Sequence, residues 1–302
     1  VRRRKSKLRF VSGNITIFLA VFMVVMLGFT ALVLDVGMIF VEKARLDQAL
    51  DAAALAGAQD LPLGIDKATQ SAQTYIALNQ IAISDVQVEI IDGEKTIKVS
   101  GKKRVNHFFA PIFSIEQTVV NSYSKAIIGP AGKVTNGLRP LAISDYPMVY
   151  GEQVTLKEGA GDGTTGNYGA VSFGPTGASE FENYLLYGYT GSLSVGDWIQ
   201  TEPGNMAGAV SALSSNLSTD YSTFDNYTAI SKRLWTIPIV DTLDVTGRKD
   251  VKIIGFAQFF VESAKKVSGE AEIKGRFIKY VATGDMDYTV LDRGVYVSKL
   301  AR

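Results

Sequence analysis

The stretch Ile15-Thr-Ile-Phe-Leu-Ala-Val-Phe-Met-Val-Val-Met-Leu-Gly-Phe-Thr-Ala-Leu-Val-Leu34 carries no charge, and Arg2, Arg3, Arg4, Lys5, Lys7 and Arg9 precede it. About 20 apolar residues at a rise of about 1.5 Å cross the roughly 30 Å hydrocarbon layer of a bilayer. Residues 15–34 therefore read as a transmembrane helix. The basic stub of residues 1–14 belongs on the cytoplasmic face, so the chain after Asp35 is expected outside the cytoplasm, as the bulk of a single-pass cell-membrane protein. A cleavable secretory signal starts in the same way, but its apolar core is about 7–15 residues with a small-residue cleavage site close behind. Here the nearest such sites, Ala54-Leu-Ala56 and Ala56-Gly-Ala58, come well past the span. The helix is expected to stay as an anchor. Asp35, at its outer end, is expected to be solvated at the lipid interface.

The helical pattern continues beyond the membrane. Residues 36–59 contain no proline and offer the pairs Glu42/Arg45 and Lys43/Asp47 at helical spacing. Ala49, Ala53 and Gly57 recur at every fourth residue, a spacing that lets another backbone approach closely. Alanine is also the best helix former, but glycine costs about 1 kcal/mol inside a helix, which favours a packing role for the stripe. Asp-Leu-Pro-Leu-Gly at 60–64 ends the segment, so residues 35–64 are read as a helical rod.

Beyond the rod, residues 65–129 read as a small α/β domain. One amphipathic helix covers 66–79, and residues 86–90 and 96–99 alternate across an Asp92-Gly-Glu turn as a hairpin. A short apolar turn at 107–113 and a third strand at 117–128 complete it. Proline, glycine and polar residues at 130–137 predict a linker. Residues 138–302 read as a β-rich domain, a curled sheet or partly open barrel, with strands at 153–157, 169–173, 193–201, 234–240, 251–261 and 271–281. Helical inserts are expected at 178–187 and 206–217. The nearly unbroken apolar run 251–261 predicts a strand buried on both faces. The fold class is thus α+β.

Composition removes several chemistries. The chain has 302 residues and no cysteine, so there is no disulfide framework and no thiolate chemistry. Outside the stub, 25 basic residues face 30 acidic ones, a mildly acidic balance that argues against nucleic acid as a partner. His107 is the single histidine and sits among Phe108, Phe109, Ile112 and Phe113, which reads as structural and removes histidine-based triads and metal sites. The Gly159–Gly169 loop has calcium-like composition, but it lacks the spacing of a calcium loop and its closing glutamate, and reads as a glycine-rich turn. The pairs Asp241/Asp244 and Asp285/Asp287 could serve glycoside hydrolysis only at a suitable separation, and they look like turn residues. Phe181, Tyr184, Tyr187, Tyr189 and Trp198 could stack on sugars, although the spacing of Phe181, Tyr184 and Leu185 fits a helical core face. No catalytic, metal or cofactor residue is expected, and no enzyme.

Taken together, Ser12-Gly13-Asn14-Ile15, the span ending in Leu34-Asp35-Val-Gly37, and Arg45-Leu-Asp-Gln-Ala-Leu-Asp-Ala-Ala-Ala-Leu-Ala-Gly-Ala58 resemble the N-terminal region of TadE/TadG-like Flp (Tad) pilus-assembly proteins. Residues 151–208, with Gly161-Asp-Gly and Gly196-Asp-Trp-Ile-Gln-Thr, are similar to exported parts of TadG-related proteins. The resemblance implies an exported, membrane-anchored accessory of a type IV-like pilus system. Its partners would be the lipid bilayer and other pilus-assembly or pseudopilin-like membrane proteins. Two features depart from the pattern. Prepilin-type processing between Gly13 and Asn14 goes with a glutamate where this chain has Phe18, so cleavage there is expected to be absent or inefficient. The closest match to an Asp-x-Ser-x-Ser metal motif, Asp220-Tyr-Ser222-Thr-Phe224, lacks the second serine. The alternative reading is a tethered surface module that binds wall glycan or another ligand through the β-rich domain.

Overall fold

A computed structural model describes residues 15–145, 147–158, 168–174, 177–202, 207–267 and 270–301. Its first element, helix α1 (Ile15–Asp60), is one unbroken helix of 46 residues. The two halves of α1 face different surroundings. Side chains from Ile15 to Leu34 are exposed apart from part-covered Ala31, whereas Leu46, Leu50, Ala53, Ala54 and Ala58 are fully buried. It is the one helix among the described residues long and apolar enough to cross a membrane. A 3-10 turn at Leu61–Leu63, with Pro62, and then Gly64 at φ 114° redirect the chain. Helix α2 (Ile65–Leu78) folds back onto α1 through Ala68, Ala72 and Ile76.

Strands β1 (Val86–Ile91) and β2 (Thr96–Asn106) form the expected hairpin. After a 3-10 turn at Ala110–Phe113, β3 (Gln117–Thr135) runs back antiparallel along β2. The remaining strands are β4 (Leu141–Ser144), β5 (Gln153–Glu158), β6 (Tyr168–Ser172), β7 (Ser192–Ser194), β8 (Trp198–Thr201), β9 (Leu234–Val240), β10 (Asp250–Val267), β11 (Glu270–Ile278), β12 (Tyr280–Val281), β13 (Gly284–Met286) and β14 (Val295–Ala301). Helices α3 (Ala178–Tyr187) and α4 (Ala207–Leu217) are inserted between them.

The first sheet has the order β1-β2-β3-β14-β12, with β7 and β13 paired to the far end of β3. This sheet is open. In the second, β10-β8-β6-β4-β9 returns to β10 and makes a partly closed five-stranded barrel, with β11 and β5 extending one edge. The α+β class and the barrel reading agree with the sequence. The two-residue period explains why the stretches 234–240 and 253–261 are almost wholly apolar, since both of their faces are covered. Ile237, Ile239, Ala257, Phe259 and Val261 face a core with α3 and α4, while Val240, Ile253 and Phe256 face a core shared with β3 and β14.

Three local expectations need correction. Residues 130–135 are strand rather than linker, and Ala131 and Val134 are buried in the core that joins the two sheets. Glycine there serves close approach: a Cβ at Gly132 would lie 2.4 Å from Asp287 Cβ. Pro130 sits opposite Tyr296 in the ladder, and its carbonyl accepts from the Asp287 N–H. The 193–201 run is two strands divided by a turn at Gly196 (φ 101°). The 271–281 run breaks at Lys279, so that β12 joins the first sheet.

Candidate functional site at the membrane junction

The end of the apolar run meets the folded body at Asp35. This carboxylate is only 5% exposed. Its Oδ1 accepts the Phe108 N–H at 2.7 Å, and its Oδ2 accepts those of Phe109 at 3.1 Å and Ala110 at 2.7 Å. These donors open the 3-10 turn Ala110–Phe113, so Asp35 acts as a cap supplied from another element. The expected solvated aspartate is therefore a buried clamp. Sequence could not show it, because the donors are backbone groups 73 to 75 residues away. Burial opposes the charge, but the N–H groups of Phe108, Ala110 and Phe109, with His107 nearby, hold the carboxyl below its ordinary range. Its contribution to stability is complete above the ordinary carboxylate pKa and is lost as pH falls through the lowered folded value. At the base of the loop the His107 N–H donates to Glu116 O at 3.0 Å, and His107 Nε2 lies 2.9 Å from Thr118 Oγ1.

Above Asp35 the rod is fixed by polar contacts and apolar packing. Lys103 Nζ lies 2.5 Å from Glu42 Oε2, and the two helical pairs expected from sequence form, Arg45–Glu42 at 2.6 Å and Lys43–Asp47 at 3.3 Å. The Ser122 hydroxyl donates to Asp47. Partly exposed pairs of this kind are worth about 0–1 kcal/mol each, so they set the rotation of the helix while the apolar core supplies the stability. Leu46 and Leu50 are fully buried in that core, together with Ile97, Val99 and Val120.

Ala49, Ala53 and Gly57 all lie buried on this face. A Cβ at Gly57 would stand 2.4 Å from Ile97 Cδ1, 3.0 Å from Ala68 O and 3.3 Å from Ala72 Cβ. The backbone that comes close is thus the chain's own α2. Gly13 and Asn14 lie outside the described residues, as does 159–167 of the Gly159–Gly169 loop.

Most of the other sequence candidates are engaged in the fold. Asp241 accepts from the N–H groups of Thr242 and Lys252, Asp287 from the Thr289 N–H and hydroxyl, and Asp285 pairs with Lys133 at 3.4 Å. Asp220 accepts from the Ser222 and Lys232 N–H groups and the Ser231 hydroxyl. Phe181 and Leu185 belong to the core, Tyr184 packs edge-on against Tyr189, and Tyr187 and Trp198 remain exposed. An open cleft of about 510 Å³ lies between Asp145, Met148, Tyr150 and Asp292, and its Arg293 forks onto Asp145. No group of three or more histidine, aspartate or glutamate side chains among the described residues is arranged to hold a metal ion.

The long helix is where the chain is similar to known proteins. Residues 13–60 match the Tad family of putative Flp pilus-assembly TadE/G-like proteins. The matched segment ends with α1, so it includes the apolar run, Asp35 and the buried rod. No curated protein and no solved structure matches the chain.

Replacing Asp35 with alanine leaves three N–H donors in the loop without their acceptor. The expected result is faster amide hydrogen exchange at Phe108, Phe109 and Ala110, with exchange in β9 and β10 unchanged. Protection that survives the substitution would show that the loop holds itself.

Proposed function

We propose that this chain is a membrane-anchored accessory of a Tad (Flp) pilus-assembly system that acts through protein–protein contacts. In this reading residues 15–34 cross the membrane with the basic stub in the cytoplasm, and the two-sheet body works outside. The observation that carries it is the Tad match at residues 13–60 on a helix whose apolar half is bare and whose other half is built into the folded body. The arrangement also favours a retained anchor over a cleaved signal. Ala54 and Ala58, from the two small-residue sites, are fully buried within α1, and cutting there would strip Leu46, Leu50 and Ala53 from the core.

The test is photo-cross-linking in intact membranes from exposed positions of the body such as Tyr221, which is 91% exposed. The expected adducts are membrane proteins of the pilus system, formed only when the reagent reaches the outer face. Adducts confined to cytoplasmic proteins would overturn the orientation, and adducts that exclude every pilus component would overturn the role.

A further inference from the structure

The loop clamped by Asp35 presents an apolar surface with no cover in the fold. Ile112 is 79% exposed, Phe113 78% and Phe108 68%, and Phe109 and Ile115 are exposed beside them. Such a run of bare aromatic and branched side chains marks a surface that meets another apolar phase. Its position identifies that phase. Asp35 immediately follows the uncharged run 15–34 and is hydrogen-bonded directly to Phe108, Phe109 and Ala110. The loop is therefore held where the helix leaves the membrane. Ala31, one turn below Asp35 on the same helix face, is the one residue of 15–34 that is part-covered, so packing reaches into the apolar run itself.

The flanks suit a lipid surface as well. Lys102 and Arg104, exposed on β2 as it runs toward the loop, provide cations at the level of lipid headgroups, while the loop offers phenylalanine and isoleucine below them. We propose that residues 108–115 insert into the outer leaflet as a second membrane contact beside the helix, fixing the tilt of the body on the bilayer. The occupant of the apolar surface is lipid, argued from its continuity with the span. The inference rests on the membrane reading of 15–34, and its test is arranged so that the two fail separately.

The chain has no cysteine, so single labels are unambiguous. The full chain is placed in phosphatidylcholine and phosphatidylglycerol vesicles as Phe113→Cys, Leu27→Cys or Tyr221→Cys. Each variant carries an environment-sensitive nitrobenzoxadiazole label and is challenged with doxyl-labelled lipids. Leu27 is expected to be quenched best by deep doxyl groups, and Phe113 by shallow ones, at the depth of about 5–10 Å typical of interfacial segments. Tyr221 should be unaffected. Quenching at Leu27 with none at Phe113 would overturn the insertion while leaving the span intact. No quenching at Leu27 would overturn the span, and the proposal with it. A blue shift at Phe113 that appears in native membranes but not in lipid vesicles would assign the loop to a protein partner and also reject the proposal. Ile112→Cys provides a second position should Phe113→Cys fold poorly.

Discussion

Residues 138–302 expressed alone are expected not to fold cooperatively, while residues 35–302 melt in a single transition. The reason lies in β3. It pairs along the length of β14, and its Ala131 and Val134 fill the core between the sheets with Val295 and Val297. Without β3, β14 loses its antiparallel neighbour and those valines lose their cover. Each fully buried valine is worth about 1.5–3 kcal/mol, and a domain's whole stability is about 5–15 kcal/mol. Near-UV circular dichroism and thermal melting of the two fragments decide the point. A sharp melt from 138–302 would show an independent domain, and would also make that fragment usable alone for glycan pull-down.

The second large effect is at the rod. Ala53→Leu is expected to lower the stability of residues 35–302 by about 1–3 kcal/mol through overpacking. Ala53 is fully buried in the cluster formed with α2 and β2. Gln48, exposed on the opposite side, supplies the control, and Gln48→Leu should stay within about 0.5 kcal/mol of the parent. Equal melting temperatures for the two variants would show that the buried face tolerates bulk, against the packing described above.

What could be read from the sequence follows from how local each signal is. The helix 178–187 and the strand 234–240 fall where their patterns place them, because periodicity and turn residues are properties of neighbours in the chain. The long helix was legible for the same reason. The stripe Ala49, Ala53 and Gly57 announced a close contact but not its owner, since spacing describes one surface only. Pro130 and Gly132 look like linker residues until Tyr296 and Asp287 are placed against them, far along the chain. Strand β14 is not marked in the sequence: the strand character of Val295–Ala301 depends on pairing with β3, far along the chain. Asp35 shows the limit most clearly. Beside an apolar run a lone carboxylate suggests water, and only the folded loop supplies the N–H groups that make burial favourable.

Helix α1 passes from the apolar run into the body without a break, and Asp35, Glu42 and Asp47 tie it at three points to the loop and sheet. Mechanically this is a lever with its shaft cast into the head, not a weight on a string. A load applied to the body is transmitted as torque on the apolar segment, and it is resisted in shear by helix-to-sheet packing along several turns. For the pilus-assembly role proposed above, such a part is a stiff post rather than a flexible tether.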